Sequence, residues 1–454
     1  MTLRSLALPL LACALALPAA AADLPSAAPA KGDGVRNQVA NKLAADYPAL
    51  EKFYTDLHRH PELSLMEEKT SAKVAAELRA AGFEVTEKFG GYGVVGVLKN
   101  GPGPTLLVRT DMDALPVLEE TGLPYASTTR VTDLSGHDVP VMHACGHDIH
   151  MTVFAGTAHL LAALKDQWAG TLVFVGQPAE ERVIGARAML SAGLYRQFPK
   201  PDFALGLHDE SEIPAGTVAT IEGFSHANVD TVNITIHGIG GHGAMPYKGK
   251  DPIVLAARVV VALQTIVSRE LRATDPAVVT VGYIQGGTKN NIIPSEVKLG
   301  LTLRSYSDET RAHLVSAVRR ICRGEAIAAG LPDELMPEVE VNAAEGATSV
   351  YNDPALTHRV RGVFTAWFGT DRVKTFEPAM VSEDFSEYGR TAEHVPLCLF
   401  RLGALAPEKI AESARTGVPL PSLHSSKFAP VPEPTIKTGI TAMTAVALDL
   451  LAKR

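Results

Sequence analysis

HACGHDIHMTVFAGTAHLLAALKDQWAGTLVFVGQPAEE, His143 to Glu181, is the stretch whose reading decides the fold. A helix spans about Ile149 to Lys165 and leads into a short, continuously apolar run, Thr171 to Gly176, of the length of a buried strand. Two glutamates follow at once. Upstream, the text becomes helical from about Ala44 to His60-Pro61, and again from Thr70 to Ala81, where Gly82 stops it. Strand-like runs follow at Phe83–Lys88, Gly93–Leu98 and Thr105–Arg109, punctuated by Gly90-Gly91 and Gly101-Pro102-Gly103. Strands alternating with helices predict an α/β domain around a central mixed sheet.

Downstream the pattern changes near Ile213. Strands are expected at Gly216–Glu222 and Val229–His237, and a helix from Asp251-Pro252 to about Glu270, with the proline at its first position. Strands near Ala277–Ile284 and Val297–Arg304, a helix over Asp308–Ala329 and a strand at Glu338–Asn342 complete a β-α-β-β-α-β series of ferredoxin-like order. Residues 213–345 therefore read as an inserted α+β domain. Residues 44–212 and 346–454 read as the two parts of the domain it interrupts, and 23–43 as a flexible leader.

The bulk numbers agree with a globular chain of more than one domain: 454 residues, 46% hydrophobic and 20% charged. A net charge of -8 without a Lys/Arg run excludes nucleic acid as the expected partner. Residues 1–22 read as a secretory signal peptide: a basic start at Arg4, an apolar run from Ser5 to Pro18, and small residues at Ala20-Ala22. The expected location is across the inner membrane, periplasmic or extracellular, with no membrane association after cleavage. Leu10-Leu11-Ala12-Cys13 leaves a lipoprotein anchor as an alternative, and no later segment reads as a membrane span. Beyond Cys13 remain Cys145, Cys322 and Cys398; Cys145 sits among histidines and is read as a metal ligand, and pairing of the other two stays open.

Four clusters carry chemistry. Arg109–Pro116, RTDMDALP, puts Asp111 and Asp113 at the end of an apolar strand, where α/β sheets place ligands. His143–Met151 packs His143, Cys145, His147, Asp148 and His150 at a helix start; a thiolate and an imidazole two residues apart suit a borderline-soft metal. Glu180-Glu181 can divide two tasks, Glu181 as ligand and Glu180 as the base for an activated water. His208 and His424 are isolated, yet with the other clusters they complete five ligands that serve two metals if the thiolate bridges.

In this order and spacing the clusters resemble the family of hippurate hydrolases, bacterial aminoacylases and plant auxin-conjugate amidohydrolases, within the co-catalytic zinc carboxypeptidases. The resemblance extends from DLHRHPELS (Asp56–Ser64) through GGHGAMP (Gly240–Pro246), NIIPSEV (Asn291–Val297) and SEDFSEY (Ser382–Tyr388) to LHSSKFAP (Leu423–Pro430). It implies a zinc-exopeptidase-type catalytic domain and a ferredoxin-like lid or dimerisation domain. It places the metals on Cys145, His147, Glu181, His208 and His424, the base on Glu180, and a supporting carboxylate on Asp113. It adds His242 as oxyanion stabiliser from a partner subunit, and Asn291 and Arg304 for the substrate carboxylate.

The expected cofactors are two divalent ions, zinc first, with manganese, cobalt or nickel as alternatives. The expected substrate is a small N-acyl amino acid and the expected assembly a homodimer. A carboxypeptidase or dipeptidase, and a non-catalytic metal- or solute-binding protein, are the rival readings. The chain departs from the family at Arg182-Val183-Ile184, Tyr247 and Ser426, where glycine-rich residues, histidine and proline are common.

Overall fold

The computed structural model describes residues 32–453; the expected signal peptide and Cys13 lie outside them. In chain order the strands of the two main sheets are β1 (Glu84–Thr86), β2 (Val94–Asn100), β3 (Thr105–Asp111), β4 (Gly170–Gln177), β5 (Phe203–Pro214), β6 (Val218–Thr220), β7 (Asn228–His237), β8 (Ala277–Gln285), β9 (Glu296–Ser305), β10 (Glu338–Ala347), β11 (Val373–Thr375) and β12 (Leu397–Leu405). The main helices are α1 (Asp33–Arg59), α2 (Glu68–Ala80), α3 (His147–Ala163), α4 (Pro252–Thr265), α5 (Asp308–Ala328), α6 (Pro354–Phe368) and α7 (Pro432–Leu450).

The central sheet has 8 strands in the order β1-β2-β4-β3-β5-β12-β6-β11. Its middle, β4-β3-β5-β12, is parallel, while β1, β2 and the β12–β6 pair add antiparallel edges. The parallel strands carry apolar runs, Leu106–Val108, Leu172–Val175, Phe203–Leu207 and Leu397–Phe400, because helices cover both faces, and the polar residues of β3 and β5 gather toward their C-terminal ends. Phe154, Trp168 and Phe174 pack with α1, α3 and α7 on one face; Val175, Met189, Phe385 and Tyr388 pack on the other. All four parallel strands end on one side, which leaves their C-terminal ends and the following loops to build a site.

The second sheet runs β8-β9-β7-β10, entirely antiparallel, with α4 and α5 packed on it through Leu255, Val259, Leu263, Leu314 and Val318. Asp251 accepts the Ile253 N–H to start α4, and Ser307 accepts the Thr310 N–H to start α5. The helix running on to Glu270 is long and apolar enough to cross a bilayer, contrary to the sequence expectation, but one face of it is the core of this domain.

Two boundaries differ from expectation. Residues 33–43, expected in a flexible leader, are the first turns of α1. Val39, Leu43, Tyr47, Leu50, Tyr54 and Leu57 recur every three or four residues and are buried, a stripe that runs unbroken through Pro48. The insert begins not at 213 but at β7, because β6 pairs with β12 and β11 in the central sheet, and Gly223–His226 pairs with Val350–Asn352. A three-residue strand buried throughout has no period from which its sheet could be read. Cys322 and Cys398 are both free and buried, one in α5 and one in β12, so they do not pair.

Candidate metal centre

The loop after β4, the second half of β5, the turn just before α3 and a loop before α7 line one cavity of about 550 Å³. Cys145, Glu180, Glu181, His208, His424 and Arg304 all line it. The Cys145 Sγ lies 3.5 Å from His208 Nε2 and 3.2 Å from His424 Nε2. Glu181 Oε1 is 3.5 Å from His424 Nε2 and 3.8 Å from His147 Nε2. Two sets of donors, Cys145/His147/His208 and Cys145/Glu181/His424, each lie within 4.8 Å of one another and share the sulfur. Donors around a tetrahedral zinc stand roughly 3.3–3.7 Å apart, from bond lengths of about 2.0–2.3 Å.

Three further observations fit this donor set to cations. His147 Nε2 and Glu181 Oε1 are buried and have no hydrogen-bond partner among the described residues, a condition that is costly unless something else engages them. Two of the three imidazoles are also turned the same way. His147 Nδ1 is 2.8 Å from the Asp113 carbonyl and His208 Nδ1 is 2.7 Å from the Asp209 carbonyl, so both Nδ1–H groups donate outward and turn Nε2 toward the cluster. Moreover, Asp111, Asp113, Glu180, Asp209, Glu383 and Asp384 are all buried here. Arg109 pairs with Asp111 at 2.7 Å, Glu383 at 2.9 Å and Asp384 at 3.1 Å, and His150 with Asp209 at 3.3 Å, while Glu180 has no ion-pair partner closer than His147 Nε2 at 3.9 Å among the described residues. The same crowding holds the protein's own protons in place. Burial, then Glu181 and Glu180, hold the Cys145 thiol well above its usual range, and burial drives Glu181 up to about 7 against the pull of His147. Divalent ions reverse this logic by favouring the thiolate and carboxylate.

Glu180 is 6% exposed, and no hydrogen bond engages its carboxylate among the described residues. Burial raises its proton affinity well above the usual carboxylate range, and Glu383, Glu181 and Asp384 add to that while Arg109 opposes it. A carboxylate so placed can take a proton from water and keep it for a leaving group.

Asp113 does not enter either donor set. Its Oδ1 accepts the Glu180 N–H at 3.1 Å, and its Oδ2 accepts the Glu181 N–H at 3.0 Å and the Ser64 hydroxyl at 2.6 Å. Glu67 accepts the Ala179 N–H at 2.8 Å. These two carboxylates shape the loop that aims the glutamate pair. Ala179 (φ 51), Val183 (φ 52) and His424 (φ 65) are left-handed non-glycine residues around the site; for β-branched Val183, where the family commonly has small glycine-rich residues, the conformation is strained. Gly146 (φ 72) opens α3 where a Cβ would run into the Asp209 carboxylate.

The structure does not bring every expected residue here. His242 lies in the two-residue strand Gly241–His242, paired with Ile292–Ile293; it and Asn291 are exposed and do not line the cavity. Several contributors had little signal in the sequence. Ser64 and Glu67 sit in an ordinary loop. His150, one of the clustered histidines, is bonded on both ring nitrogens, to Asp111 Oδ1 at 2.7 Å and to the Asp209 N–H at 2.9 Å, so it orients rather than ligates. Arg401 and His226 are single polar residues in strands, and nothing local marks them.

A model of Peptidase family M20/M25/M40 matches residues 107–423. The N-acetyldiaminopimelate deacetylase of Leuconostoc mesenteroides is 34% identical over 360 residues, covering 78% of this chain and 88% of that protein. Thermostable carboxypeptidase 1 of Saccharolobus solfataricus is 34% identical over 401 residues, covering 87% and 94%. The solved structure of the Bacillus subtilis YXEP protein, a dinuclear metal binding peptidase from the M20 family, matches with a TM-score of 0.69 at 27% identity, covering 92% of this chain and 100% of that one. Fold, donor cluster and these likenesses agree: the chain belongs to peptidase family M20/M25/M40 and is a metal-dependent hydrolase of amide or peptide bonds.

Proposed function

We propose that the protein hydrolyses N-acyl amino acids, releasing a carboxylic acid and a free amino acid. The observation that carries this reading is an unengaged, proton-avid Glu180 beside a five-donor cluster in a cavity that also holds Arg304. Cys145, His147, Glu181, His208 and His424 would hold two divalent ions, zinc favoured by the thiolate. Such ions, when bound, acidify water and polarise a carbonyl.

The protein's part is as follows. Arg304, half-buried on β9, receives the substrate carboxylate in its planar fork. Glu180 takes the proton from the attacking water and returns it to the leaving nitrogen. Asp113 holds Glu180 and Glu181 by their amides. His242 and Asn291 serve a cavity only if a second copy supplies them, and the exposed apolar residues Val254 and Val261 of α4 and Tyr283 and Ile284 of β8 support a homodimer through the insert. The signal-like start supports action outside the cytoplasm, which cell fractionation checks.

Glu180→Gln should keep its metal by elemental analysis and lose about 10²–10⁴-fold in turnover; undiminished turnover refutes the assignment. A panel of hippurate, N-acetyl amino acids and dipeptides separates this reading from a carboxypeptidase or dipeptidase, the activity class to which the Saccharolobus relative belongs. Sedimentation of the pure protein, and restored activity on mixing His242→Ala with Glu180→Gln subunits, tests the shared site.

A further inference from the structure

The cavity contains a second guanidinium. Arg401 of β12 stands beside His208 of β5 in the parallel register, and both line the cavity. It is 4% exposed, yet its surroundings do not saturate it. Its Nη2 donates to His226 Nε2 at 2.9 Å, and the other nitrogen of that ring lies 2.9 Å from Ser225 Oγ. Burial and the adjacent Arg401 keep His226 neutral, so it orients the guanidinium without neutralising it. The Phe376 ring lies 5.4 Å from the guanidinium carbon. The facing carboxylate, Glu210, stops 3.6 Å from Nη1, beyond hydrogen-bond range, and spends its other oxygen on the Ser211 N–H at 2.9 Å. Arg401 Nε is buried and has no hydrogen-bond partner among the described residues. A guanidinium has five N–H donors in a rigid fork suited to a carboxylate, and this one is held ready beside the hydrolytic cluster.

We propose that Arg401, oriented by His226, is a second carboxylate-binding subsite in addition to Arg304. The favoured substrates are then dianionic amides, with the extra carboxylate on the amino-acid side chain or at the far end of a dicarboxylic acyl group. This rests on the amide-hydrolase reading.

The test uses metal-loaded enzyme and two matched pairs: N-acetylglutamate against N-acetylglutamine, and N-succinylalanine against N-butyrylalanine. One dianion should exceed its neutral-ended partner at least tenfold in kcat/KM, and the pair that responds identifies which end of the substrate Arg401 meets. Arg401→Met should collapse that ratio toward one, chiefly through KM, while Arg401→Lys retains part of it. Glutarate, but not butyrate, should raise the thermal midpoint of the wild type. That measurement and the wild-type ratios need no variant to fold. Ratios near one in both pairs, or a ratio unchanged by Arg401→Met, overturn the proposal alone. Hydrolysis of none of the four amides overturns the amide-hydrolase reading and the proposal with it.

Discussion

Asp113→Asn probes whether a carboxylate outside the donor sets governs the site. In the structure Asp113 receives the Glu180 and Glu181 amides at 3.1 and 3.0 Å and the Ser64 hydroxyl at 2.6 Å. An asparagine has one acceptor oxygen and a donor NH₂ in place of the other. Whichever way it is turned, one of the two glutamate amides faces a donor and loses its partner. Leaving a buried N–H unpaired costs about 1–3 kcal/mol, and the remaining bonds lose charge assistance worth about 1 kcal/mol more. The folded protein should therefore lose roughly 2–4 kcal/mol, partly relieved by moving the loop that carries Glu180 and Glu181. That movement is what function should register: metal affinity falling about 10–100-fold, and turnover falling at saturating metal because Glu180 is displaced. Denaturant titration of metal-free protein, competition with a chromogenic chelator, and kcat at saturating metal measure the three separately. Wild-type kcat and metal affinity in a variant that has lost the stability would show that Asp113 supports the fold only and does not aim the glutamate pair.

Two other perturbations have clear signs. His58 is buried between Asp148 Oδ2 at 2.6 Å and Glu119 Oε1 at 3.0 Å; burial opposes its charge, but the carboxylates prevail and lift it from 6.5 to about 10. A folded value above the unfolded one stabilises fully below pH 6.5, and that stabilisation is lost as pH rises toward about 10. The stability gap between wild type and His58→Gln should thus be a few kcal/mol at pH 6 and narrow steadily to pH 10, and a pH-independent gap in urea titrations would rule the ion pairs out as its source. Chelation should lower the thermal midpoint as well as abolish activity, because it leaves His147 Nε2 and Glu181 Oε1 unpartnered in an anionic cluster; at a thousandfold excess of metal over Kd the difference is about 4 kcal/mol. Calorimetry that shows identical midpoints with and without chelator contradicts a cation-stabilised centre.

The sequence alone determined what short-range pattern can carry. The run from His143 to Glu181 shows helix, buried strand and acidic loop in succession, and the structure has α3, β4 and the Glu180-Glu181 turn there. The β-α-β-β-α-β order of the insert is equally legible, since each element is long enough to display its period. The thiol, imidazoles and carboxylates of the candidate centre were visible as residue types at suggestive positions. Tertiary structure decided the rest. Which ends of β3, β4 and β5 face one another depends on strand order, a long-range choice that no local window contains; it brings His208 to Cys145, while the bond from the His424 N–H to the Ala144 carbonyl brings the loop before α7 there. Burial then sorts chemically identical groups into different work. Asp113 is saturated by amides, Glu180 is left free, and His150 is bonded on both nitrogens while His147 keeps one bare. Charge and hydrogen-bonding capacity are written in the residue, but whether they are satisfied is a property of what the fold packs against them.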